Sequence, residues 1–370
     1  MEYDELVYAC TINRIFNYAC EKGRELVSKF LYPSEIFSLG RKDLVHLLGG
    51  ECRFVDDILN RTCLKQAERD VAWANEKGVS VYYVGDKDYP WRLKECNDAP
   101  IIIYCKGDCN LNSSKVLSIV GTRHSTVYGE QVCKDIVREL STLEDPPIIV
   151  SGLAYGIDIA AHKAAMECTL PTVGVMATGL DTIYPSAHRR AAMEMVEKGA
   201  ILTEFAINTA PLAINFIRRN RIIAGLSDAT LLVESRREGG GMVTSKMAYS
   251  YNRDVFAVPG RVVDKASEGC NILIRDNIAE MVSGVSTVGR SMRWKNLSKN
   301  GDTSPKIIIF ESDNNIKRKI IRLLSEHMLM TIDELVVRSG GYRGDVIRGV
   351  TELEIERRVE ADLLGRFRLI

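Results

Sequence analysis

The chain has 370 residues, 46% hydrophobic and 26% charged, enough to bury a substantial core and to divide into more than one domain. Lys and Arg number 49, as do Asp and Glu, so the formal net charge is zero. That balance excludes attraction to nucleic acid through a field over the whole molecule, and any such binding must come from a local cluster of Lys and Arg.

The first ten residues, MEYDELVYAC, are acidic and helical in flavour and lack the basic segment and long apolar stretch of a secretory signal. Apolar runs such as Ile101 to Ile103 and Ile307 to Ile309 are strand length, far short of the roughly 20 residues a spanning helix needs. A cytoplasmic protein with no membrane partner is expected. The ten cysteines are scattered, and Cys105 and Cys109 bracket Lys-Gly-Asp with no second pair at zinc-ribbon spacing. They read as buried thiols in a reducing cytosol. His124, His162 and His188 belong to no His-rich motif, so no metal is expected.

Taken in chain order, residues 1–75 place apolar side chains at threes and fours (Leu44, Leu47, Leu48; Phe54, Ile58, Leu59) around a Gly49-Gly50 break, the pattern of a small helical domain. The period changes to that of strands at Val79, so a second domain is expected over 76–285. Within it, SIVG, IIVSG, TVGVM, AILT, ATLLVE and DVFAVPG alternate with helix-length segments. This predicts an α/β fold, a Rossmann-like doubly wound, mostly parallel sheet whose ligands bind at the carboxyl ends of the strands. Residues 286–305 are polar and aperiodic (Arg290, Arg293, Lys295, Lys299, Gly301, Ser304) and read as a linker. Over 306–370 the pattern predicts a winged helix: an amphipathic helix around Ile316 to Leu324, a capping box at Thr331 to Glu334, a third helix after Gly340-Gly341 ending near Glu354, and a ribbon of Val359 with Phe367 to Ile370 around Leu364-Gly365.

The first parallel strand runs into Gly121, Thr122 and Arg123 before a helix starting near Tyr128-Gly129. This is either an anion site, with Arg123 as bidentate donor, or a tight turn with a surface Arg. The second strand ends in Ser151-Gly152 and leads to Gly156 and Asp158 without a GxGxxG pattern or a terminal acid for a ribose, so no cofactor is expected. Asp158 and His162 share a helix face four apart, the spacing of an acid/base pair, but the preferred reading is a capping carboxylate and a structural hydrogen bond. The third strand leads to Tyr184-Pro185, with His188, Arg189 and Arg190 close behind. Phe216, Arg218, Arg219, Asn220 and Arg221 interleave a ring with guanidinium groups, as a single strand needs when bases stack and phosphates are neutralised. The alternative is a helix whose Phe216 is core. Finally, Arg236 and Arg237 precede Gly239, Gly240 and Gly241, with Lys246 beyond. The order and spacing are not those of a Walker A loop, and ATP hydrolysis is not supported. Several phosphate-sized loops on one edge, each beside a cation, fit a polyphosphate strand better than one small nucleotide.

Taken together, SIVGTR, SGLAYGIDIAAH, ATGLDTIYP, FIRRNRIIAGLS, GGGMVTSKMA, DVFAVPGR and GCNILIRDN resemble, in order and spacing, the signature segments of the DprA/Smf family over roughly Val79 to Val282. The helical front, of the SAM or helix-hairpin-helix kind, and the winged helix look like the family's accessory domains. The resemblance implies a non-enzymatic homodimer that binds single-stranded DNA without base specificity, protects it and recruits RecA recombinase during natural transformation. Carried over by position, Arg123 is the motif arginine of the phosphate pocket, Phe216 the aromatic ahead of the RNR segment, and Gly239, Gly240, Gly241 and Lys246 the glycine-rich loop and its lysine. Gly121, Thr122, Gly152, Arg218, Asn220 and Arg221 complete the expected DNA-binding set. The chain departs from the pattern at Ile217, where Pro is usual, His188, where Asn is common, Ala213, often basic, and Asn277-Ile278, often Gly-Ala.

Two other functions are open to the sequence. The Rossmann variant resembles nucleotide phosphoribohydrolases, which need a catalytic Glu after a PGGxGT loop. Here Glu238 precedes the glycines, and Ser245, Lys246 and Met247 follow Thr244. A winged helix could also regulate duplex DNA, but its third helix mixes Arg343 and Arg348 with Asp345, Glu352 and Glu354.

Overall fold

The computed structural model describes residues 2–294 and 315–369, apart from 328, 357, 363 and 364. The chain divides into two compact units, Met1–Lys299 and Asn300–Ile370. The predicted linker residues Lys295, Lys299, Gly301 and Ser304, the Ile307 to Ile309 run, Leu364 and Ile370 lie outside the described residues.

The first unit opens with helices α1 (Tyr3–Ile15), α2 (Cys20–Val27), α3 (Pro33–Ile36), α4 (Arg41–Leu47), α5 (Arg53–Leu59) and α6 (Leu64–Glu76). The α/β part then runs β1 (Ser80–Tyr83), α7 (Trp91–Lys94), β2 (Ile102–Gly107), β3 (Val116–Val120), α8 (Val127–Leu140), β4 (Ile148–Ser151), α9 (Ile157–Glu167), β5 (Thr172–Val175), α10 (Arg189–Lys198), β6 (Ala200–Thr203), α11 (Ala213–Gly225), β7 (Ala229–Leu232), α12 (Gly240–Ser250), β8 (Asp254–Ala257), α13 (Glu268–Arg275), β9 (Glu280–Met281) and α14 (Thr287–Ser291). All nine strands form one sheet, ordered β1-β2-β6-β5-β4-β3-β7-β8-β9. From β6 to β9 every pairing is parallel, while β2 pairs antiparallel with both β1 and β6. The chain winds outward from β3 to β6, crosses back through α11 and continues from β7, so the winding reverses between β3 and β7. In a doubly wound sheet that reversal opens a crevice at the carboxyl ends.

Each central strand is buried along its whole length and mostly apolar because both its faces are covered. Leu117 and Ile119 of β3, Ile149 of β4 and Leu231 of β7 join α8, α9 and α14 in one core. Their neighbours Val116, Val120, Val150 and Leu232 point the other way, into a core shared with α10, α11, α12 and the front helices. The segment 1–75 therefore shares its core with the sheet instead of closing one of its own. Tyr104 of β2 is within 3.5 Å of Cys10 on α1, and the Asn13 side-chain amide donates to the Glu204 carbonyl. Within the front, Arg14 pairs with buried Asp70 at 2.5 Å, and Phe16 stacks on Phe54.

The expected linker is shorter at its start. Residues 287–291 are helix α14, and Val285, Met292 and Trp294 pack against the β3 to β8 core, because the stretch has enough apolar side chains to dock. All ten cysteines are free thiols, five buried and five half-buried.

The second unit comprises α15 (Asn315–His327), β10 (Met330–Thr331), α16 (Ile332–Ser339), α17 (Arg343–Ile355), β11 (Val359–Ala361) and β12 (Arg366–Leu369). The three predicted helices and the ribbon are present, with β10 added as a short third strand. The Thr331 and Glu334 side chains make the expected reciprocal cap of α16. Ile320, Leu324, Leu335, Val346, Val350 and Leu353 form the unit's own core.

Candidate functional site

A cleft of about 610 Å³ opens at the carboxyl ends of β3 and β7, where the winding reverses. Its floor is the turn after β3 (Gly121, Thr122, Arg123), one wall is the loop entering α12 (Arg236, Glu238, Gly239), and the other is α11 with Phe216 and Arg219. The turn after β3 precedes the other two segments by more than 90 positions, and all three meet there because the parallel strands deliver every loop to the same edge.

The amino ends of the two helices beside the cleft are treated in opposite ways. Thr126 caps α8, accepting from the Gly129 N–H at 3.1 Å, and buried Glu234 takes the Thr126 N–H at 2.9 Å and its hydroxyl at 2.5 Å. The positive end of α8 is thus met by a carboxylate, so of the two readings open for this turn the helix end itself fits the tight turn, while Arg123 still faces the cleft. Helix α12 instead begins after Gly239 with no side-chain cap, and Gly239, Gly240 and Gly241 all line the cleft. The open amino end is that of α12.

Helix α11 sends its arginines in different directions. At 3.6 residues per turn, Phe216, Arg219, Asn220 and Ile223 share the cleft face. Arg218 lies on the other side, donating to the Asn17 carbonyl with its guanidinium 4.8 Å from the Tyr18 ring centroid. Arg221 is buried, paired with buried Glu204 and donating to the Asp98 carbonyl. Arg218 and Arg221, expected to bind DNA, therefore hold the front helices and the core. Lys246 is exposed but lies outside the cleft lining, half a helical turn round α12 from the cleft residue Thr244.

Gly152 acts indirectly: a Cβ there would strike the Arg219 guanidinium, so the absent side chain makes room for that arginine. Arg219 is 3% exposed, donates to the Val175 carbonyl at 2.9 Å and leaves its Nε unpartnered. Burial, with Arg123 nearby, lowers its pKa to about 10 against the pull of Asp158. Asp158 is itself pushed up by burial, opposed by Arg219 and the backbone N–H groups of Ala154 and Gly152. With Asp158 as the carboxylate facing Arg219, exposed Arg123 is the positive charge left over for an anion at the cleft. Gly156, at φ 73°, turns the chain into α9 where a Cβ would meet the Thr122 carbonyl.

His162 plays the structural part expected. It is fully buried, its Nδ1 lies 2.7 Å from Thr172 Oγ1, and burial lowers its pKa to about 3, with Arg219 and His188 adding to the effect. His188 Nδ1 donates to the Leu153 carbonyl at 2.8 Å, tying the loop after β5 to the loop after β4.

The Arg123 guanidinium lies 5.4 Å from the Phe216 ring centroid, and Tyr184 meets the same ring edge-on at 5.5 Å. Among the described residues, no ion pair engages Arg123, Arg236 or Arg237. Of the expected set, Gly121, Thr122, Arg123, Phe216, Asn220, Gly239, Gly240 and Gly241 converge on the cleft, while Gly152, Arg218, Arg221 and Lys246 do not line it. Arg219, Tyr184 and Arg236 also line the cleft; the sequence singles out the segments that carry them, but the expected DNA-binding set left them out. The helical period counted from Phe216 selects Arg219 and Asn220 and was the available signal for the first.

Residues 80–293 match the family model described as DNA recombination-mediator protein A. The chain is 38% identical over 199 residues to DNA processing protein DprA of Streptococcus pneumoniae, covering 54% of this chain and 70% of that protein. It also resembles the X-ray structure of that protein, with a TM-score of 0.66, 29% identity, and coverage of 78% of this chain and 98% of the other. A DNA processing protein A from Helicobacter pylori, described for its single-stranded DNA binding mode, superposes with a TM-score of 0.53 at 28% identity, covering 58% of this chain and 95% of that one.

Proposed function

Because the chain belongs to the DNA recombination-mediator protein A family, that of DprA and Smf, we propose that it binds single-stranded DNA without base specificity, protects it and passes it to RecA recombinase during natural transformation. The observation that carries this reading is the Arg123–Phe216 pair at the winding reversal, an aromatic platform under a guanidinium with no ion partner among the described residues. Rings stack on any base and guanidinium groups meet the phosphate between bases, so the pair grips a strand without reading it. Arg219 below and the uncapped amino end of α12 beside it add positive potential at the same point.

The protein acts as a binder and not as a catalyst. Of the two carboxylates at the cleft, Asp158 is held by Arg219 and backbone N–H groups, and Glu238 stands ahead of the glycines where a phosphoribohydrolase needs its acid behind them. It works as a homodimer in the cytoplasm. No helix among the described residues is long and apolar enough to cross a membrane.

The test is binding of the purified chain to fluorescent oligothymidine and to a duplex of the same length across a salt series. Tight, salt-sensitive binding that prefers the single strand supports the reading. No strand binding at low salt overturns it.

A further inference from the structure

Aromatic side chains continue beyond the cleft along the sheet's carboxyl edge. Tyr184 packs on Phe216 at the cleft wall and is 45% exposed. Four residues later, His188 is tied to the Leu153 carbonyl, which holds the loops after β4 and β5 together. Tyr155, two residues from that carbonyl and 50% exposed, meets the His188 ring edge-on with centroids 4.8 Å apart. Immediately past His188, α10 begins with Arg189 and Arg190, both exposed and in no ion pair among the described residues.

The cleft itself is short of exposed cations on this side. Ala213 and Ile217, both at its lining, carry no charge. A strand leaving over α11 meets methyl and butyl groups, whereas a strand leaving over Tyr184 meets two half-exposed rings and then two arginines. Rings alternating with cations are what a single strand recognises, because each nucleotide brings one flat apolar face and one phosphate.

Resting on the strand-binding reading above, we propose that Tyr184 and Tyr155 form a second base-stacking subsite that carries single-stranded DNA out of the cleft toward Arg189 and Arg190. His188 is a positioning residue in this scheme, since it sets the Tyr155 ring without presenting its own face. The subsite recognises bases only as flat surfaces.

The experiment is fluorescence anisotropy of the full chain with a short oligothymidine that fills the cleft and a long one that reaches α10. Tyr155→Ala should weaken the long oligonucleotide about tenfold, one stacked base, and the short one less, while Tyr155→Phe keeps wild-type affinity. Equal affinity of wild type and Tyr155→Ala for the long oligonucleotide overturns the subsite. Should the alanine variant fail to fold, ultraviolet cross-linking of wild type to an iodouracil-substituted strand decides. A cross-linked peptide containing Tyr155 supports the proposal, and cross-links confined to the Phe216 peptide overturn it. A wild-type chain that binds neither oligonucleotide at low salt brings down the strand-binding reading and the subsite with it, whereas strand binding without a Tyr155 effect brings down the subsite alone.

Discussion

The two sides of helix α11 carry the same residue type to opposite ends. On the cleft side, Arg219 keeps an unpartnered Nε under an exposed Arg123, leaving positive charge for a ligand to complete. On the back, Arg221 gives its charge to Glu204, and Arg218 turns to the front helices, donating to the Asn17 carbonyl and lying over the Tyr18 ring, although its Nε too is buried without a partner. An arginine is available for binding only when the fold leaves it short of partners on a face that a ligand can reach, and a run of arginines in a sequence does not say which one that is.

The largest test of this contrast is Arg221→Ala. It strands the Glu204 carboxylate, which burial already pushes up in pKa, and should cost about 3–5 kcal/mol of stability by chemical denaturation. Strand affinity per folded molecule should stay unchanged, and a loss of affinity at intact stability would place Arg221 on the binding side. Next comes Phe216→Ala, which should weaken oligothymidine binding by about 1–3 kcal/mol and leave the unfolding midpoint nearly unmoved. A stability loss without an affinity loss would make Phe216 core.

Acid sharpens the picture of the cleft side, where buried Arg219 helps keep His162 neutral. The folded His162 pKa is about 3 against an unfolded value near 6.5, so as pH falls below 6.5 the unfolded chain takes up the proton first and stability drops. At pH 5.5 the loss from this group should be about 1.4 kcal/mol, and denaturation at pH 7 and 5.5 should show a smaller difference for His162→Gln. The smallest expected effect is that of Arg123→Ala. It should lower affinity for all strand sequences alike and reduce the slope of log K against log salt by about 0.7, one phosphate contact. An unaltered slope would remove Arg123 from the phosphate path.

The parallel strands were legible because a strand covered on both faces must be a short apolar run, and Gly, Pro or polar loops end each one. The cleft's glycines and Arg123 were legible for a related reason, since a doubly wound sheet puts every such loop on one edge. The closing of α8 was not. Glu234 stands 108 positions from Thr126, and nothing local announces that its carboxylate will reach the helix end. Arg218 and Arg221 were misassigned because charge was read without helical phase. The shared core of the front helices escaped for a different reason: the period of a helix tells which side is apolar, not what it packs on.

The sheet stops on four residues at β1 and on two at β9. Unpaired backbone groups on so short a border offer little template for another chain's strand. Copies brought close together are thereby given little edge on which to pair into β-aggregates, and a protein built with long, flat borders would not share that tolerance of its own local concentration.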